Sequence, residues 1–131
     1  MRAAVHWVES LEKMSSFAAN DEPAQRIRIV AVDGDDCFRD MLSNELSERA
    51  FSVTTFADSA SVLASTDALS AADLIVLDWG LAGKTGLDLM RQLKRLGINI
   101  PTVVLTSRSL ASYESLALEH GALDFIDKSR G

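Results

Sequence analysis

Ile27-Arg28-Ile29-Val30-Ala31-Val32-Asp33-Gly34-Asp35-Asp36 is a nearly unbroken apolar run that ends in a knot of acids. Strands that alternate apolar and polar residues have one wet face, whereas continuous Val/Ile/Leu runs suit strands covered on both faces of a parallel sheet. Two runs of the same kind lie downstream, Leu74 to Leu77 and Thr102 to Leu105, with weaker candidates at Phe51 to Phe56 and Leu123 to Ile126. Helical spacing fills the intervals. Phe38, Met41, Leu42 and Leu46 form one stripe, which Asp35 or Asp36 would cap. Ala60, Leu63 and Ala64 follow Asp58, a second cap. Leu89, Met90, Leu93 and Leu96 form a third stripe closed by Gly97, and Leu110 to His120 is followed by Gly121. Pro101 falls at a strand start, where a sheet tolerates it. The order β-α-β-α-β-α-β-α-β from Ile27 to Ile126 predicts a doubly wound α/β fold with five parallel strands. Right-handed crossovers then gather the functional loops at the carboxyl ends of the strands.

A chain of 131 residues holds one ordinary domain, and 47% hydrophobic against 24% charged residues reads as globular. Nineteen acids against thirteen bases leave a net charge of −6, which argues against a nucleic-acid surface. Cys37 is the only cysteine, so no internal disulfide can form. No apolar run approaches the ~20 residues that span a bilayer, and charges interrupt the start of the chain where a signal peptide keeps its apolar region. The expectation is a cytoplasmic protein that engages neither membrane nor nucleic acid directly.

Chemistry collects at strand ends. Asp33, Asp35 and Asp36 put three carboxylates within four residues. Two unit charges ~4 Å apart cost about 4 kcal/mol at an effective dielectric of about 20, so such a cluster needs water or a cation. Hard oxygen ligands with room for water suit Mg²⁺; the plainer reading is one helix cap plus solvated turn acids. The third strand ends in Asp78-Trp79-Gly80, and in a doubly wound sheet it lies beside the first, facing Asp78 toward Asp33. Thr106 and Ser107 end the fourth strand with hydroxyls, and Lys128 after the fifth offers a point charge for phosphate. Each alone is ordinary: a turn acid, a β-prone Thr, a surface Lys. Together they form the equipment for metal-assisted phosphoryl transfer to a carboxylate.

These positions resemble the receiver domain of two-component response regulators, over about Ile27 to Arg130. The resemblance implies a flavodoxin-like sheet of strand order 2-1-3-4-5. It makes Asp33 the first acid, Asp78 the phosphoacceptor, Thr106 the switch hydroxyl, Phe125 the switch aromatic and Lys128 the phosphate-contacting lysine. Gly80 would lend its backbone carbonyl to the metal, and Gly86 matches the glycine eight residues past the phosphoacceptor. Gly121-Ala-Leu-Asp-Phe-Ile-Asp-Lys128 follows the family's Gly-Ala-x-x-aromatic-x-x-Lys stretch. The implied activity is that of a signalling module rather than an enzyme. Asp78 would be phosphorylated by a histidine kinase or phosphotransfer protein with Mg²⁺ held by Asp33, Asp35, Asp78 and Gly80, with no small-molecule cofactor and with room for a homodimer.

The sequence also departs from the family. Gly34 stands where the second acid belongs, so either Asp35 substitutes or metal affinity is weak; Ala82 and Ser129 stand where prolines are usual. These departures motivate an alternative: a degenerate receiver used as a phosphate-independent interaction or dimerisation module. A remoter one takes Asp33-Gly-Asp35 as the nucleophile and general acid of a haloacid-dehalogenase-like phosphatase, although Cys37 stands where that family has Thr or Val. A flavodoxin-like cofactor carrier is disfavoured, because acids after the first strand repel phosphate. The family continues past its lysine into one more helix, whereas this sequence ends at Gly131. Residues 1–25 form an extension ahead of a receiver unit at 26–131. Within it Ala4, Trp7, Val8, Leu11, Met14 and Ala18 make an amphipathic helical stripe over 4–18. That helix is expected to pack on the face left by the terminal helix, in its own chain or a partner's; the alternative is a disordered leader.

Overall fold

The apolar runs become strands because both of their faces are covered. The computed structural model describes residues 26–80, 86–107 and 111–128. Its strands are β1 (Ile27–Val32), β2 (Phe51–Phe56), β3 (Leu74–Asp78), β4 (Thr102–Thr106) and β5 (Asp124–Asp127). All pair in parallel in the order β2-β1-β3-β4-β5. Every residue of β4, and β3 from Leu74 to Leu77, is buried.

The helices are α1 (Asp36–Glu48), α2 (Ser59–Leu63), α3 (Thr66–Ala71), α4 (Gly86–Arg95) and α5 (Ala111–Glu119). The chain steps from β1 outward to β2 through α1, and every later crossover steps the other way. Constant right-handedness therefore puts α1 on one face and α2 to α5 on the other. The two cores follow the strand alternation. Ile29, Ala31, Leu74, Val76, Val103 and Leu105 pack with Leu42 and Leu46 of α1. Val30, Val32, Ile75, Leu77 and Val104 pack with Val62, Leu69, Leu89, Leu93 and Ala117.

Three expectations shift. The helix after Asp58 is two short helices, α2 and α3, rather than one. Serine hydroxyls turn onto the main chain there, Ser65 Oγ to Ser61 O at 3.2 Å and Ser70 Oγ to Thr66 O at 2.8 Å, and such bonds compete with regular helix. The last strand lies one residue later than Leu123 to Ile126 and leaves Leu123 exposed. Leu96, the last member of its stripe, is 62% exposed because α4 stops at Arg95 and Gly97 turns the chain at φ +76°. The expected helix at 4–18 and its docking lie outside the described residues. Among the described residues no helix is long and apolar enough to cross a membrane.

Candidate functional site at the carboxyl ends of the strands

β1, β3 and β5 end at one crevice, and each delivers a charged side chain to it. Asp33 is 2% exposed. Its N–H donates to Phe56 O at 3.0 Å, tying the end of β1 to the end of β2. Its Oδ1 accepts the Asp35 N–H at 2.9 Å, and its Oδ2 meets Lys128 Nζ at 2.5 Å. The same ammonium lies 3.3 Å from Asp78 Oδ1. Lys128 is held there by its own backbone, whose N–H donates to Thr106 O at 2.8 Å, extending the β4–β5 pairing past Asp127. A buried carboxylate is tolerable only when paired, and one ammonium serves both acids.

Asp78 is half-buried, and its pKa lies above the ordinary 3.8. Burial is the main cause, and the nearby Asp33 charge adds to it; Lys128 and a hydrogen bond from the Gly80 N–H oppose it. Close to Asp78, the Gly86 N–H donates to Trp79 O at 2.7 Å. A Cβ at Gly86 would sit 2.8 Å from Asp78 O and would overlap the Leu77 side chain, so close approach demands glycine here. Thr106 ends β4 beside them and is 4% exposed.

The other expected residues go elsewhere. Asp35 is the N-cap of α1, its Oδ1 accepting the Phe38 N–H at 3.2 Å. Asp36 pairs with Arg39. Phe125 is buried; the Trp79 ring meets it edge-on at 6.0 Å and stacks on Tyr113 at 5.3 Å. The phosphatase reading needs an accessible Asp33, whereas that carboxylate is buried and bonded to Lys128.

Residues that sequence reasoning missed come from the first turn of α1. Arg39 Nη1 donates to the Asp33 main-chain oxygen at 2.6 Å and so fastens the acidic loop. The Lys128 ammonium lies 4.1 Å from the centre of the Phe38 ring. Phe38 reads in sequence as one more member of the apolar stripe; its only signal is its place three residues after the capping acid. Asp33 and Asp78 fit Mg²⁺, an ion that takes one or two carboxylates and keeps several waters. Among the described residues no cluster of three or more His, Cys, Asp or Glu forms a metal cage. A cavity of about 140 Å³ lined by Met90, Leu93, Lys94 and His120 lies at the other end of the sheet, by the start of β4, away from these acids.

With this geometry in hand, the relatives are informative. The model of the response regulator receiver domain matches residues 29–130. The alkaline phosphatase synthesis transcriptional regulatory protein SphR of Synechococcus elongatus is 32% identical, over 94% of this chain and 50% of that protein. Response regulator MprA of Mycobacterium leprae is 35% identical over 78% of this chain and 44% of that protein. The chain thus spans about half the length of the curated relatives it matches. Among solved structures, FixJ-N superposes with a TM-score of 0.73 at 28% identity, covering 82% of this chain and 85% of that one. Chemotaxis protein CheY4 of Vibrio cholerae, at 22% identity and TM-score 0.74 over 82% and 90%, shares the fold.

Proposed function

Since this chain belongs to the receiver-domain family of response regulators, we propose that Asp78 is its phosphate acceptor. The donor is a phosphohistidine on a histidine kinase or phosphotransfer protein, or a small acyl phosphate. One observation carries the reading: a single ammonium, on Lys128, bonded to the buried Asp33 and also 3.3 Å from Asp78.

An Asp78 carboxylate oxygen attacks phosphorus in line with the leaving group. The bond from phosphorus to the donor nitrogen breaks, the imidazole keeps the electron pair, and an aspartyl phosphate forms. Catalysis here is positioning and charge stabilisation. Asp33 holds Lys128 by its short bond, so the ammonium is aimed before substrate arrives. Once the phosphoryl group is on Asp78, Lys128 can pair with one of its oxygens and the Thr106 hydroxyl can donate to another. Burial that pushes the Asp78 pKa up also makes its oxygens more basic, hence better electron donors. Asp33 and Asp78 would hold Mg²⁺ together with the Gly80 carbonyl, and Asp35 would stay at the edge as the cap of α1. When bound, the ion supplies positive charge against the phosphoryl oxygens. A cytoplasmic setting, where such donors would meet the domain, belongs to the same reading.

Mass measurement after treatment with acetyl phosphate and Mg²⁺ tests it. Wild type should gain one phosphoryl group and Asp78→Asn none. Equal labelling of the two proteins would sink the assignment.

A further inference from the structure

We propose that Phe38 is a positioning residue that steers the Lys128 ammonium onto Asp33 and Asp78 through its ring face. The inference rests on the phosphoacceptor reading for its consequence, but the contact itself does not.

Lys128 lies one residue past the end of β5. Its backbone is fixed by the bond to Thr106 O, but a four-carbon stem can send the ammonium many ways. Three groups narrow the choice. Asp33 Oδ2 at 2.5 Å and Asp78 Oδ1 at 3.3 Å attract it from the sheet side. The Phe38 ring, centred 4.1 Å away, adds a contact from α1. A cation within about 6 Å of a ring centroid is drawn to the negative face of the π-system, and the attraction grows when the pair is desolvated. Here the Lys128 side chain is 12% exposed, so the ring acts with little competition from water.

The placement of Phe38 is itself enforced. Asp35 caps α1 by accepting the Phe38 N–H, and Arg39, the next residue, is tied to the Asp33 main-chain oxygen. The Arg39 N–H also donates to Asp35 O at 2.9 Å, so the backbone on both sides of the ring is pinned to the acidic loop. That chain of contacts runs Asp33, Arg39, Phe38, Lys128 and back to Asp33. It gives the Asp35 cap a part in the site without a bond to any ion.

A purely structural role is the rival, because Phe38 also packs against the core that includes Leu42. Phe38→Leu and Phe38→Met keep an apolar side chain and lose the ring; Phe38→Tyr keeps both. The ¹⁵N-labelled full chain is observed at the Lys128 ammonium, whose protons exchange slowly with water only while held. Exchange should quicken about thirtyfold in the Leu and Met variants and stay at the wild-type rate in Phe38→Tyr, the fold-change expected from one desolvated cation–π contact. Labelling by acetyl phosphate should slow by a similar factor in the same two variants, with Tyr restoring it. In a Lys128→Met background, Phe38→Leu should cost nothing further in labelling rate, since the ring acts only through the ammonium. Wild-type ammonium exchange in a folded Leu or Met variant overturns the inference. If wild type takes no phosphoryl group, the Asp78 reading fails instead, and the exchange measurement still decides on Phe38.

Discussion

Asp78 is caught between opposing influences, and its protonation gives the most direct readout of the site. Its pKa is raised in the fold, chiefly by burial and then by the Asp33 charge, although Lys128 pulls the other way. A carboxyl whose folded pKa exceeds its unfolded value binds protons more tightly when folded. Stability therefore falls as pH rises through that window, which begins near the ordinary 3.8 and extends upward. Asp78→Asn removes the titration, so it should be more stable than wild type at pH 7, with the advantage shrinking as pH drops toward 4. Thermal melts of both proteins across that range check it; an advantage that grows in acid would contradict the assigned sign. Gly86 makes a second test at this scale. A methyl group there meets Asp78 O at 2.8 Å and Trp79 Cα at 3.2 Å, both backbone. Gly86→Ala should cost about 1–3 kcal/mol by overpacking, measured by denaturant unfolding. Asp33, Asp78 and Thr106 were legible in the sequence because each closes an apolar run, whereas Lys128, after the weakly marked β5, stood out only through the Gly121-Ala-x-x-Phe125-x-x-Lys128 resemblance. Phe38 and Arg39 were not, since a helical stripe and a helical surface already account for them.

At the scale of elements, what was readable depended on how strongly burial constrained each segment. β1, β3 and β4 stood out because most of their residues are buried, which disfavours polar side chains and leaves nearly unbroken apolar runs. β5, with Asp124 and Asp127 at its ends, carries little such signal, and its start was misplaced by one residue. The split between α2 and α3 was hidden because Ser65, at the second N-cap, makes no side-chain capping bond to announce it. The first helix gives the sharpest test, since the sequence offers Asp35 both as the cap of α1, which it is, and as the second metal-binding acid. The two roles separate under substitution. Asn is as good an N-cap as Asp, whereas Ala loses about 0.5–2 kcal/mol. If capping is the whole role, Asp35→Asn should keep both the melting temperature and the response to Mg²⁺, while Asp35→Ala lowers the first. A folded Asp35→Asn that has lost its response to Mg²⁺ would return Asp35 to the ion.

At the scale of the molecule, the site is a product of topology. Asp33 and Lys128 are 95 residues apart in the chain, and Asp78 stands between them; only the order β2-β1-β3-β4-β5 brings them to one ammonium. An unfolded chain spreads these groups and keeps no comparable site. Whatever binds there binds the native state alone, and its free energy appears in full as stability. For Mg²⁺ on Asp33 and Asp78, a concentration of 100 times Kd adds about 2.7 kcal/mol, on the order of 10 °C in Tm for a domain of this size. The expected gain is approached logarithmically with concentration, without saturating sharply. Lys128 shapes the starting point, because its ammonium already neutralises part of the acid pair in the structure. Lys128→Met should therefore lower the Tm without ion and enlarge the shift that Mg²⁺ produces, as two carboxylates lose their internal cation. Asp33→Ala should abolish the shift, since it removes one of the two carboxylates that meet the ammonium among the described residues. A series of melts over Mg²⁺ concentration, with Na⁺ at matched ionic strength to subtract screening of the net −6 charge, separates site binding from bulk electrostatics. A Tm that rises equally with Na⁺, or equally in Asp33→Ala, would mean that the crevice does not hold the ion.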